Sequence, residues 1–191
     1  AFLTYDDGLA AIRTEHAAAA ELGAIIDLVF DDTRHDALAL TGSLAEVPMR
    51  VHASYQREEI LAALDYANLH RKPTSMMQGV AYSELLNVDA FFVTLKKSEA
   101  AYSPTTMYRD YPISPTLFHW ESQNASSVAS PTGQRYLSGS STVLLFCRIE
   151  HNGEYDTAPY MLLGPASYVS HVGERPIAIT WALEHAMPST F

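Results

Sequence analysis

Beyond Pro73 the sequence breaks into short runs rich in Val, Ile, Phe, Tyr and Trp, each bounded by Gly, Pro, Ser or Asn. They lie at Gly79 to Tyr82, Ala90 to Leu95, Thr142 to Ile149, Ala158 to Leu163, Ser167 to Val172 and Ile177 to Leu183. Runs of this length and composition form β-strands. In the last, Ile177, Ile179, Trp181 and Leu183 fall on one face and Ala178, Thr180 and Ala182 on the other, the alternation of a half-buried strand. Several such strands with few helical segments between them point to a compact β-barrel or sandwich.

The sequence before Pro73 is of another kind. Asp6 to Phe30 is alanine-rich, with Leu9, Ile12, Leu22, Ile25, Ile26 and Val29 at helical spacings, and reads as one or two packing helices broken near Gly23. Leu38 to Val47 reads as a further short helix before Pro48. Arg57 to Asn68 carries an apolar stripe of Ile60, Leu61 and Leu64, with Glu58 and Glu59 in the first turn where the helix dipole favours them. The expected class is therefore α+β, with residues 1–72 a helical coupling segment and residues 73–191 a β-barrel domain.

With 191 residues the chain buries enough surface, roughly 70% of that exposed when unfolded, to fold without staples. Its single cysteine, Cys147, excludes an internal disulfide and a cysteine zinc site and fits a reducing, cytoplasmic setting. There is no signal-peptide pattern and no uncharged apolar run approaching the roughly 18 residues of a membrane span. The opening at Ala1, straight into helix-like sequence without a methionine, is expected of a fragment of a longer protein.

A net charge of −10 opposes nucleic-acid binding, which relies on Lys and Arg at phosphates. The charge is uneven, however. Residues 1–70 carry four basic and twelve acidic side chains, residues 71–150 seven and six, and residues 151–191 one and four. The middle third alone is not acidic, so an interface there depends on specific contacts more than on general attraction.

That third contains the mixed stretch from Val93 to Gln123. Eight of the twenty aromatics fall between Tyr82 and Trp120, twice the even share. Phe91 and Phe92 sit in an apolar run and belong to the core. Tyr102, Tyr108, Tyr111 and Trp120 stand among polar residues, where a ring offers both a stacking face and a polar tip. Asp110 would accept a hydrogen bond from an exocyclic amino group such as cytosine N4, or else cap a turn or pair with Arg109. His119 and Gln123 would contact a base edge or phosphate. On a strand, Trp120 alternates with His119, so Trp120 faces either a base or the core. A nucleobase pocket of Tyr82, Tyr108, Asp110, Tyr111, His119, Trp120 and Gln123 is the expectation. Lys96, Lys97, Ser103, Thr105, Arg109, Arg135 and Arg148 are the candidate contacts to the DNA backbone.

Enzyme signatures are absent: there is no Gly-x-Gly-x-x-Gly, Walker loop or Gly-x-Ser-x-Gly elbow, and the eight His residues lack metal-ligand spacing. Hydrolysis by a grouping of Asp110, His119 and Glu121 is the one catalytic alternative. Val128 to Ser141, rich in Ser, Pro and Gly, reads as a loop.

Seven stretches together carry a resemblance. They are Phe-Phe-Val-Thr-Leu-Lys-Lys-Ser-Glu from Phe91, Tyr-Ser-Pro-Thr-Thr-Met-Tyr-Arg-Asp-Tyr from Tyr102, Leu-Phe-His-Trp-Glu-Ser-Gln from Leu117 and Ser-Pro-Thr-Gly-Gln-Arg-Tyr from Ser130. Val-Leu-Leu-Phe-Cys-Arg from Val143, Pro-Tyr-Met-Leu-Leu-Gly-Pro-Ala from Pro159 and Pro-Ile-Ala-Ile-Thr-Trp-Ala-Leu from Pro176 complete them. Over residues 50–188 the chain resembles a bacterial domain of unknown function at the C-terminus of large proteins that join a phospholipase-D-type nuclease to a DEAD/DEAH helicase motor. Gln56 stands where that family usually has serine, and Glu121 where relatives often have glutamine.

The resemblance implies a module of a type IV restriction enzyme with an SRA-like, PUA-related barrel. Such a module reads 5-methylcytosine or 5-hydroxymethylcytosine in duplex DNA by flipping the base into an aromatic cage. It implies no catalysis and no cofactor in this chain, with nuclease and ATPase in other domains of the same protein. The alternative is a protein-interaction or dimerisation module, its acidic helical segment docking on the motor.

Overall fold

The computed structural model describes residues 4–32, 37–67, 79–96, 109–153 and 157–191. The chain divides into two compact units, Ala1–Asp36 and Ala37–Phe191. The first consists of α1 (Tyr5–Thr14) and α2 (His16–Asp32). Thr4 caps α1 reciprocally: its Oγ1 accepts from the Asp7 amide and Asp7 Oδ2 accepts from the Thr4 amide, both at 3.1 Å. The break expected near Gly23 lies at Glu15, whose backbone is extended and whose N–H closes the carbonyls of Ala11 and Ile12. Gly23 continues inside α2, where good helix formers around it outweigh a cost of about 1 kcal/mol.

The second unit opens with β1 (Leu38–Ala39), antiparallel to β2 (Arg50–Val51), followed by β3 (Ser54–Tyr55) and α3 (Arg57–Ala63). The helix expected over Leu38 to Val47 is not formed; a single 3-10 turn at Gly42–Leu44 serves instead, so that Leu40, Leu44, Val47 and Met49 all reach the core. At α3, Glu59 Oε2 accepts from the Gln56 amide at 2.6 Å. This charge-assisted bond is the N3 half of a capping box, satisfying the N-cap amide.

Seven longer strands follow: β4 (Val80–Ser83), β5 (Val88–Thr94), β6 (Tyr111–Ser114), β7 (Leu117–Glu121), β8 (Thr142–Arg148), β9 (Tyr160–Val172) and β10 (Ala178–Leu183). Their order in one sheet is β4-β5-β8-β9-β10-β7-β6, with β3 also on β9. Every pair is antiparallel except β5 with β8. The runs expected at Ala158 to Leu163 and Ser167 to Val172 are one strand, β9. Its register shifts against β8 and β10 bend it.

β5 and β8 are buried along almost their whole length on both faces, as their near-continuous apolar runs require. On one face Ala90, Phe92, Leu144, Phe146 and Leu162 pack against Val51, Ile60, Leu61 and Leu64. On the other, Phe91, Val93, Leu145, Cys147 and Leu163 meet Phe118, Trp120, Ile179, Trp181 and Leu183, so the sheet curls back on itself. α4 (Pro131–Ser138) contributes Tyr136 to that second core.

The compact units divide the chain between 36 and 37, and Leu40 to Leu64 share a core with Phe92, Phe146 and Leu162. Two expectations are corrected by this arrangement. The barrel is not closed: β4 and β6 end the sheet without pairing to each other. Pro112, with no N–H for a ladder, and the register shift after it confine β6 to an edge. The loop expected over Val128 to Ser141 holds α4, marked by Ser130 as cap, Pro131 in the first turn and Gly139 in the left-handed conformation at the C-terminus. The fold is thus α+β with a mostly antiparallel, strongly curved open sheet. Among the described residues no helix is long and apolar enough to cross a membrane.

Candidate functional site

On β7 the alternation decides which side chains are available. Phe118 and Trp120 point into the core, and Leu117, His119 and Glu121 lie on the opposite face. Trp120 is 4% exposed and stacked on Phe91, with ring centroids 4.1 Å apart. It belongs to the core, and its expected place in a base pocket is withdrawn.

On the outward face Tyr111 of β6 pairs in register with His119 of β7, and the two rings stack with centroids 4.6 Å apart and planes 21° from parallel. Tyr111 is 47% exposed. His119 in turn faces Thr180 of β10, which faces Ser170 of β9, while Glu121 leads to Ala178 and Val172 in the adjoining row. Small side chains beside a stacked aromatic pair make a shelf that a flat ring or a sugar–phosphate strand can approach closely.

The rim of this shelf is clasped by two carboxylates. The Glu121 amide donates to Asp110 Oδ1 at 3.1 Å, and the Arg109 amide donates to Glu121 Oε2 at 3.0 Å. Glu121 Oε1 also stands 4.0 Å from His119 Nε2. Asp110 therefore works first as a backbone anchor, of the turn-capping kind, and brings its carboxylate to the end of the shelf. Gln123 follows in the turn after β7, its carbonyl accepting from the Ser126 amide.

The remaining expected residues are distributed otherwise. Tyr82 lies on β4 under the Arg135 guanidinium, 3.8 Å from the ring centre, and donates to Asn87 Oδ1 at 2.9 Å. Arg135 is bound bidentately to Asp89, Nε to Oδ2 at 2.7 Å and Nη2 to Oδ1 at 2.9 Å. Ser141 Oγ donates to the same carboxylate at 2.6 Å. Tyr82 and Arg135 thus belong to a structural network around the fully buried Asp89, and neither joins Tyr111 and His119. Lys96 pairs with Glu150 at 3.0 Å on the surface, and Arg109 is exposed. Tyr108, Lys97, Ser103 and Thr105 lie outside the described residues.

The Asp89 network shifts its neighbours. Hydrogen bonding to Asp89 and its negative charge raise Arg135 above the usual guanidinium range against the opposing effect of burial. Tyr136 is held well above the ordinary tyrosine range, first by burial and then by the charge of Asp89, with Arg135 acting the other way. Asp89 was legible only as a lone carboxylate within the apolar run Val88 to Thr94.

Two surface concavities lie apart from the expected cage. One, of about 230 Å³, is lined by Pro112, Ile113, Pro115, Met187 and Phe191, and the other, of about 420 Å³, by Arg148, Ile149, Asn152, Met161 and Phe191. Among the described residues no group of three or more His, Cys, Asp and Glu is placed to hold a metal ion.

No curated protein matches the chain. A family model described as a domain of unknown function, DUF3427, matches residues 49–191, starting just ahead of β2 and α3 and running to the last residue. This match spans three quarters of the sequence, and the chain belongs to the DUF3427 family.

Proposed function

We propose that this chain is the target-recognition module of a type IV restriction protein, reading 5-methylcytosine or 5-hydroxymethylcytosine in duplex DNA in the bacterial cytoplasm. In this reading it performs no chemistry itself. Nuclease and helicase motor occupy other domains of the same protein. The observation that carries the reading is the exposed Tyr111–His119 stack at the edge of an open shelf, with Asp110 and Glu121 at its rim. An aromatic pair provides the face on which a flipped base stacks, worth about 1 to 3 kcal/mol per base, and a carboxylate accepts from cytosine N4. The shelf borders the part of the chain that is not acidic. The curl that lays Phe91 on Trp120 supports kinship with SRA-like, PUA-related barrels, here opened between β4 and β6.

Titration of the domain against matched duplexes with and without modified cytosine, at physiological salt, tests this reading. Tighter binding of the modified duplex supports it, and equal affinity sinks it.

A second reading, a module that couples to the helicase motor or dimerises, is favoured by Leu22, Ile25 and Ile26. These apolar side chains stand exposed at i, i+3 and i+4 on α2. Sedimentation showing a stable dimer indifferent to DNA would favour it over the first.

A further inference from the structure

Arg135 and Arg148 are both built into the second unit near the sheet, and their surroundings differ. Arg135 is matched by the buried carboxylate of Asp89. Arg148, at the end of β8, is only 7% exposed, and the described groups that hold it are neutral. Its Nε donates to Thr94 Oγ1 at 3.0 Å, its Nη1 donates to the Ala158 carbonyl at 2.9 Å, and its guanidinium lies over the Tyr160 ring, 4.1 Å from the centre. Among the described residues no carboxylate stands within ion-pair distance of it, and its Nη2 makes no hydrogen bond to them. A guanidinium withdrawn from water without a counter-charge is costly, while the same fork, positioned and stacked, is well suited to bidentate capture of an oxyanion.

Arg148 lines the concavity of about 420 Å³, within the range of small-ligand sites. Ser54, Asn152 and Thr190 add polar groups to its walls, and Ile149, Met161 and Phe191 add apolar surface. Glu150 also lines it, but its carboxylate is exposed and held by Lys96 at 3.0 Å, so among the described residues Arg148 keeps no carboxylate of its own. We propose that this cleft binds the phosphate group of a small phosphate ester: Arg148 takes two phosphate oxygens and the apolar wall takes the organic part. The site uses none of the residues of the Tyr111–His119 shelf and does not rest on the reading of that shelf.

The test is an NMR titration of the intact 15N-labelled chain with inorganic phosphate, deoxycytidine monophosphate and an unmodified duplex. Each is run against chloride at equal ionic strength, following the Arg148 Nε–Hε signal in the wild type and the backbone amides of the cleft residues Ile149 and Asn152 in wild type and variants alike. A saturable shift with phosphate or the mononucleotide is expected, weakened roughly tenfold or more in Arg148→Lys, the size of one lost charge-assisted hydrogen bond. Should Arg148→Lys fail to fold, Thr94→Val, which removes the acceptor that positions Nε but keeps the charge, is the second variant: phosphate binding weaker than in the wild type is expected, and unchanged binding overturns the proposal. A signal unmoved by phosphate and mononucleotide overturns the proposal. A shift with the duplex alone also overturns it, by making Arg148 a contact to the DNA backbone. Equal binding of modified and unmodified duplex would sink the reader hypothesis while leaving this result untouched.

Discussion

Trp120 lies face to face on Phe91, with ring centroids 4.1 Å apart and planes 18° from parallel, although the two belong to strands β7 and β5, which share no ladder. Trp181 and Tyr136 meet Phe91 edge-on at 5.6 and 5.1 Å. This aromatic cluster joins the two arms of the curled sheet, so Trp120→Ala is expected to destabilise the second unit by about 3 to 5 kcal/mol. Urea denaturation followed by circular dichroism checks it. A folded, equally stable variant that had merely lost DNA discrimination would return Trp120 to the binding surface.

Tyr111 presents the opposite case, since it is half in solvent and stacks on His119 at the surface. Tyr111→Ala should leave the melting temperature almost unchanged and weaken the modified duplex selectively, by about 1 to 3 kcal/mol if one base stacks there. Fluorescence anisotropy on modified and unmodified duplexes separates this from a general loss of binding.

The buried pair of Asp89 and Arg135 is expected to behave as a coupled unit. Asp89→Leu leaves Arg135 without its partner, and Arg135→Met leaves a charge in the core; each should cost about 3 to 5 kcal/mol, while the two combined should cost much less than their sum. A double-mutant cycle on chemical denaturation gives the coupling, and simple additivity would show the two residues to be independent.

Tyr136 gives the stability a definite pH dependence. Its ionisation in the folded chain is raised, chiefly by burial and then by Asp89, whereas in the unfolded chain a tyrosine ionises near pH ~10. The folded state therefore keeps a proton that the unfolded state releases, and the stabilisation is complete below pH ~10 and lost as the pH climbs from there toward the folded-state value. Denaturation midpoints on the alkaline side should fall with rising pH, and Tyr136→Phe should flatten that fall.

Gly133, buried in the first turn of α4, leaves no room for a side chain, because a Cβ there would overlap the Ser127 carbonyl and press on Ile177. Gly133→Ala is expected to destabilise by about 1 to 3 kcal/mol in spite of alanine's better helix propensity. Thermal melting provides the measurement, and a stabilised variant would mean that the loop before α4 yields easily.

The strands were legible because period and composition act locally: the alternation of Ile177, Ile179, Trp181 and Leu183, and the apolar runs of β5 and β8, report burial directly. The α4 helix was written just as plainly in Ser130, Pro131 and Gly139, but its Ser, Pro and Gly content reads equally as a turn. What the sequence by itself determined is the strands β4, β5, β8 and β10, most of the residues of β9, the α3 stripe and the alternation that opposes Trp120 to His119. Only the tertiary structure decided the rest. Pairing order sets β4 and β6 apart as edges and leaves the barrel open. The curl of the sheet sends Trp120 into the core, and a contact 46 residues away in sequence draws Arg135 from the candidate interface to Asp89. These outcomes depend on which strands become neighbours, a long-range choice that no local pattern encodes, because the same alternation serves a base-binding face and a buried one equally well.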